Sequence, residues 1–288
     1  MKLWPPKSGR IYRDSVVKSE KVPRGPRAIA VASGKGGVGK TSLTVNLALC
    51  LARMGVRVTL FDADLGLANA EVMMGLTPRY SLYEVLYGDK TIEEITVQGP
   101  LGINVISGGS GFMEMANLDH ARRQWLVKMF NRFSGHGEVL LIDNGAGINK
   151  NVLSFVAAAG EVIIVVTPDP TSLTDAYALI KVLANYKVHS EVYLVVNRAT
   201  DKREAANTLN RIRTVAGRFL DIKINDLGWI PEDKSVIQAI KKQQPFFLTS
   251  PGSPASRSVA GMAQFLIGGE RPSLAGEGFW SKLLRFFN

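Results

Sequence analysis

Short apolar runs alternate along this chain with longer stretches in which apolar side chains recur at helical spacing. Residues 28–33, Val56–Phe61, Ile103–Ile106, Val139–Ile142, Val162–Thr167, Val192–Asn197 and Leu227–Ile230 read as strands. Behind the first run, Leu43, Leu47, Cys50, Leu51 and Met54 fall on one helical face, and Gly55 supplies the stop. Further helical patterns lie near Asp119–Phe133, Val152–Ala159, Ser172–Tyr186, Lys202–Phe219, Lys234–Lys241 and Ala255–Ile267. Strands that are apolar throughout must be covered on both faces. The pattern therefore predicts an α/β fold, a mostly parallel twisted sheet flanked by helices on both faces. Ligands on such sheets bind beyond the carboxyl ends of the strands. No internal repeat interrupts the alternation, so one domain over 28–267 is the simplest reading.

Between the first strand and its helix stands Gly34, Lys35, Gly36, Gly37, Val38, Gly39, Lys40, Thr41, Ser42. The spacing G-x-x-x-x-G-K-[ST] wraps backbone N–H groups around phosphate oxygens. It directs Lys40 to the terminal phosphates and the Thr41 hydroxyl to magnesium. The phosphates also meet a helix N-terminus, where free N–H groups and the dipole favour anions. Lys35 is extra to this pattern. So early in the loop it is poorly placed to reach phosphates its own loop cradles, and well placed to reach those of a second copy across a two-fold axis. The alternative is a solvated surface lysine.

Two more strand ends carry carboxylates. Asp62 and Asp64 follow Val56–Phe61, where a pair at i, i+2 serves magnesium or orients an attacking water. Asp143 follows an apolar strand and precedes Asn144, Gly145, Ala146 and Gly147, an arrangement in which the carboxylate reaches magnesium through water or Thr41. The Asn-Lys-x-Asp signature of guanine readers is missing, because Asn197 is followed by Arg198, Ala199 and Thr200. ATP is therefore expected over GTP. Asn197 and Arg198, with Pro231 and Glu232 after the last strand, border the expected base pocket, where the Asn197 amide is suited to read an adenine edge.

The 288 residues, 46% hydrophobic and 21% charged, suit one large domain with a sizeable core. No apolar run reaches the ~18 residues of a bilayer span, and the first residues lack the pattern of a signal peptide. A single cysteine, Cys50, excludes an internal disulfide and argues for a reducing compartment. His120, His136 and His189 are scattered without ligand spacing. The net charge of +10 invites acidic partners, nucleic acid or anionic lipid. Part of it lies in residues 1–27, a Pro- and Gly-containing basic arm expected to be mobile.

The string K-G-G-V-G-K-T resembles the deviant phosphate loop of the MinD/ParA ATPases. Segments 62–75 (D-A-D-L-G-L-A-N-A-E-V-M-M-G), 106–111 (I-S-G-G-S-G) and 230–236 (I-P-E-D-K-S-V) resemble the MinD branch, and among its members the flagellar-number regulators FlhG/FleN. The resemblance covers about 27–267. It implies that Lys35 acts in trans on a partner's nucleotide and Lys40 in cis, and that Thr41 binds magnesium. It assigns Asp62 and Asp64 to one nucleotide-sensing switch, with Asp64 holding the water, and Asp143 to the other. It places Asn197 and Pro231 at the adenine. It also implies an ATP-dependent homodimer with slow, partner-stimulated hydrolysis, and as partners the GTPase FlhF and flagellar switch or C-ring proteins. The arm lacks the D-Q-A-x-x-L-R string by which some of these regulators stimulate FlhF, and Asn144 replaces a common Thr or Ser.

After a glycine-rich linker, 268–278, the chain ends in 279–288. As a helix this segment sets Phe279, Trp280, Leu283, Leu284, Phe286 and Phe287 opposite Ser281, Lys282, Arg285 and Asn288. That is the pattern of an interfacial helix on anionic lipid, and the resemblance agrees. One such tail binds weakly; two on a dimer bind together through effective concentration. Docking of the helix on its own domain is the alternative, and both hold if it is docked without ATP and released with it. The expected location is cytoplasmic, reversibly at the inner face of the cell membrane.

Overall fold

In the computed structural model, residues 26–64, 69–109, 125–130, 137–268 and 278–286 are described. The basic arm up to residue 25, the linker 269–277, His120, His136 and Phe287 lie outside them. Eight strands form one sheet: β1 (Arg27–Ser33), β2 (Val58–Ala63), β3 (Val97–Gln98), β4 (Asn104–Ser107), β5 (Val139–Ala146), β6 (Glu161–Val166), β7 (Glu191–Ala199) and β8 (Lys223–Pro231). Their order is β3-β4-β2-β5-β1-β6-β7-β8. Every pairing is parallel except that of the two-residue edge strand β3 with β4.

Alternation along β1 divides the core. Ile29 and Val31 face a layer built from helices Lys40–Arg53 and Pro254–Gly268, with Leu43, Leu47, Val259 and Met262 buried. Ala28, Ala30 and Ala32 face the other layer, formed by Lys150–Ala158, Pro170–Asn185 and Lys202–Phe219. The guanidinium of Arg27 spans both of Glu161's carboxylate oxygens and donates to the Leu266 carbonyl, tying β1, β6 and the end of helix Pro254–Gly268 together.

The final helix, Phe279–Arg285, belongs to the second layer. Its Phe279, Trp280, Leu283 and Leu284 are all buried. The Trp280 ring stacks on Phe130 (centroids 3.5 Å apart, planes 14°) and meets Phe61 edge-on at 5.4 Å. Phe286 remains exposed. Full burial of each large apolar side chain stabilises by about 1.5–3 kcal/mol, enough to hold a helix too short to persist alone in water.

His189 sits under this helix. Its Nε2 lies 2.8 Å from the Val156 carbonyl oxygen. Burial holds its pKa below the ordinary value, the Val156 hydrogen bond opposes that shift, and the positive charge of Lys282 adds to it. The depressed pKa means that stability is full above pH ~6.5 and falls as the pH drops toward the folded-state value. Urea midpoints measured from pH 7.5 to 5 are expected to decline, and His189→Gln to flatten part of that slope; parallel slopes would refute the assignment.

Candidate functional site

Beyond the carboxyl ends of β1, β2, β5 and β7 the loop Gly34–Gly39 leads into the helix that starts at Lys40. Two of its glycines are dictated by space. A Cβ on Gly34 would stand 2.2 Å from the backbone carbonyl of Asp175, where the loop crosses helix Pro170–Asn185. Gly39 has φ 92°, a left-handed conformation suited to glycine, and a Cβ there would stand 2.2 Å from Asn197 Nδ2. Asn197 holds the loop: its Nδ2 donates to the Val38 carbonyl at 2.7 Å, and its Oδ1 accepts from Arg198 N at 3.0 Å. The amide expected to read adenine is thus engaged with the backbone, although the residue still lines the adjoining cavity.

That cavity, about 290 Å³, lies between Gly39, Ser42 and Leu43 on one side and Pro231, Glu232, Val236 and Ile237 on the other. Its apolar walls and concave form suit a planar base. A second cavity of about 310 Å³ is bounded by Lys35, Gly36, Gly37, Asp169 and Thr200, with Arg198 on the border of both.

β2 runs two residues further than its apolar run predicts. Asp62 therefore lies inside the strand rather than after it, and is paired in register with Asp143 on β5. Both are buried. Asp62 accepts hydrogen bonds at 3.0 Å from the backbone N–H groups of Asp64, Asn69 and Ala70. Burial, and then the charges of Asp143 and Glu71, push its pKa well above the usual carboxylate range. Lys40 donates to Asp143 Oδ1 at 3.2 Å, and the Thr44 hydroxyl lies 3.1 Å from the same oxygen. Asp143 Oδ2 and Ser42 Oγ are buried without a hydrogen-bond partner among the described residues. An orphaned carboxylate oxygen beside the first turn that carries Thr41 fits a divalent cation. Asp64 is half-buried; a Cβ on Gly145 would lie 3.7 Å from its Oδ1, so the segments after β2 and at the end of β5 run side by side.

Lys35 is held elsewhere. Its ammonium donates to Asp169 Oδ1 at 3.2 Å and to the Thr171 hydroxyl. Asp169 caps helix Pro170–Asn185, accepting from Ser172 N at 2.9 Å. Hydrogen bonds from Thr167, Thr171 and Ser172, and lastly Lys35, hold its carboxyl far below the ordinary range. Asp169, Thr44 and Glu71 are site residues that motif reading did not single out. Only Asp169 had a local signal, an Asp-Pro at a helix start. Glu71, buried on helix Asn69–Met73, has neither carboxylate oxygen hydrogen-bonded among the described residues.

Comparison with known proteins agrees with this geometry. The antiactivator FleN of Pseudomonas aeruginosa is 42% identical over 83% of this chain and 85% of its own. The flagellum site-determining protein YlxH of Helicobacter pylori is 31% identical over 90% of each. Among solved structures, the MinD cell division protein of Aquifex aeolicus superposes with a TM-score of 0.67 at 28% identity, covering 85% of this chain and 98% of that one. The septum site-determining protein MinD of Pyrococcus horikoshii, complexed with Mg-ADP, does so at 0.66 and 26%, covering 87% and 98%. Residues 29–246, from the first strand to the helix that closes the base cavity, match the model of the CobQ/CobB/MinD/ParA nucleotide binding domain, and the chain belongs to that family.

Proposed function

We propose that this protein is an ATP- and Mg²⁺-dependent ATPase that works as a switch between single and paired copies. The observation that carries the reading is the separation of its two loop lysines. Lys40 is buried on Asp143, whereas the Lys35 ammonium rests at the rim, on Asp169 and Thr171, with its side chain 41% exposed. A second copy laid against that rim meets a cation already at its edge. With nucleotide bound, Lys40 would turn from Asp143 to the terminal phosphates, and Asp143, Thr41 and Asp62 would hold magnesium. Bound magnesium neutralises charge on the transferred phosphoryl group. Asp64 orients the water, and each Lys35 leaves Asp169 for the partner's nucleotide. Hydrolysis is slow and partner-stimulated, and it returns the copies to the separated state.

The tail extends the switch to the membrane. Phe279, Trp280, Leu283 and Leu284, buried in the separated copy, become the lipid-facing anchor, with Phe286 and Phe287, when the copies pair. Among the described residues no helix is long and apolar enough to cross a membrane; in this reading the tail attaches peripherally, at the inner face of the cell membrane. Likeness to FleN and YlxH supports a task in flagellar number and placement, shared with FlhF and with switch or C-ring components. Solved MinD relatives, one named as a MinC:MinD cell division protein complex, support the second reading, a division-site role. The net charge of +10 leaves a DNA-partition role as a third. In sedimentation equilibrium with ATP and magnesium, wild type is expected to dimerise and Lys35→Ala to stay monomeric with nucleotide bound. A fully dimeric Lys35→Ala would remove the trans lysine from the mechanism.

A further inference from the structure

Beside the docked tail helix runs a groove of about 660 Å³ that the nucleotide chemistry does not use. Its floor is apolar, formed by Leu153 and Ala157 of helix Lys150–Ala158 and by Val182 and Val188 at the end of helix Pro170–Asn185. Its rim is cationic: Lys150 and Lys187 from the body, Lys282 and Arg285 from the tail. No acidic residue lines it, and among the described residues neither Lys150, Lys187 nor Lys282 is ion-paired. Tyr186, three-quarters exposed, stands at the mouth with an apolar ring and a polar tip.

Helix stability does not explain two of these cations. Lys150 is the first residue of its helix, where a positive charge opposes the macrodipole. Lys187 follows the last turn of Pro170–Asn185 with φ 51°, a left-handed position at which glycine is favoured. The turn is closed by Lys187 N and Val188 N donating to the carbonyls of Ala184 and Leu183. The chain therefore carries a lysine where local energetics prefer another residue, on the edge of an apolar trench of ligand size.

We propose that this groove binds a single anionic membrane phospholipid, one acyl chain lying on Leu153, Ala157, Val182 and Val188 and the headgroup held by Lys150, Lys187, Lys282 and Arg285. The occupant follows from charge complementarity: an apolar floor with an all-cationic rim favours an amphiphile with a net negative head over a zwitterionic one. Because Lys282 and Arg285 come from the tail, the site is complete only while the helix is docked. The lipid then stabilises the docked form, and the protein recognises an anionic bilayer before its tail inserts. This needs no nucleotide, so its failure leaves the ATPase reading untouched.

The test is calorimetric titration of the full chain, without nucleotide, with short-chain phosphatidylglycerol below its critical micelle concentration and with phosphatidylcholine of the same chains. Phosphatidylglycerol is expected to bind at least about tenfold more tightly and to raise the melting temperature. Lys150→Glu with Lys187→Glu is expected to erase the preference, and Ala157→Trp to block both lipids. Lys187→Gly should bind more weakly and yet melt at a higher temperature, which separates the headgroup role from a structural one. Equal affinity for the two lipids, or phosphatidylglycerol binding unchanged in Lys187→Gly, would overturn the proposal. So would a groove that takes an acidic amphipathic peptide and no lipid, which would assign it to a protein partner.

Discussion

Replacing Lys40 with alanine is expected to lower ATP turnover by roughly 10²-fold or more and to destabilise the nucleotide-free protein by about 3–5 kcal/mol. Both effects come from one ammonium. In the absence of nucleotide it is the cation facing Asp143, whose side chain is fully buried. Asp62 is the register partner of Asp143, and Glu71 is close enough to raise the Asp62 pKa. Removing the ammonium leaves three buried carboxyl groups with no ion-pair partner among the described residues. Removing one member of a buried pair costs far more than the intact pair contributes. Urea unfolding of wild type and Lys40→Ala, with a coupled phosphate-release assay, checks both halves. Equal unfolding midpoints would mean that Asp143 is compensated from elsewhere.

Trp280→Ala is expected to free the tail while leaving the ATPase domain folded. Truncating a buried tryptophan costs about 3–5 kcal/mol, and this ring has Phe130 against one face and Phe61 at its edge. A seven-residue helix has no stability of its own to absorb that loss. The segment therefore detaches rather than strains the core, and a loss of 3 kcal/mol raises the detached fraction by roughly 10²-fold. Limited proteolysis is expected to cut Trp280→Ala within 269–288 far faster than wild type. Its melting temperature should match that of a chain ending at Gly278. In liposome co-sedimentation with ATP the variant should also pellet less, because in the proposed switch the same ring is the anchor of the paired form. Unchanged cleavage would show that the tail is held by something other than its tryptophan.

The parts of this molecule that were legible in its sequence are those whose chemistry is local. The phosphate loop is one: glycines at fixed positions, then Lys40 and Thr41, between a strand and a helix. The parallel sheet is another, because its strands are apolar throughout. Strand ends were not local. Pairing with Val139 and Asn104 starts β2 at Val58–Thr59 and carries it through Asp62, so a carboxylate expected just after the strand lies within it, buried beside another. The short helices Leu82–Tyr87 and Ile92–Ile95 are too brief to show a helical period, and their signal in the sequence is the capping boxes of Ser81 with Glu84 and Thr91 with Glu94. The resting place of Lys35 depends on Asp169, far away in sequence. A face of Phe279, Trp280, Leu283 and Leu284 reads the same whether it meets lipid or Phe61, Phe130 and Phe155. Only the tertiary fold reveals that those rings wait for it.

Phe61 touches the tail and Asp62, the next residue, stands at the carboxylate pair. Neighbouring residues of one strand point to opposite sides, so the tail and the carboxylate pair meet the same strand from its two faces. Thermodynamic reciprocity then fixes the bargain in both directions. By whatever factor an occupied pocket loosens the docked helix, the docked helix must weaken the pocket's hold on its occupant, and a tail captured by a bilayer returns that same factor as tighter grip.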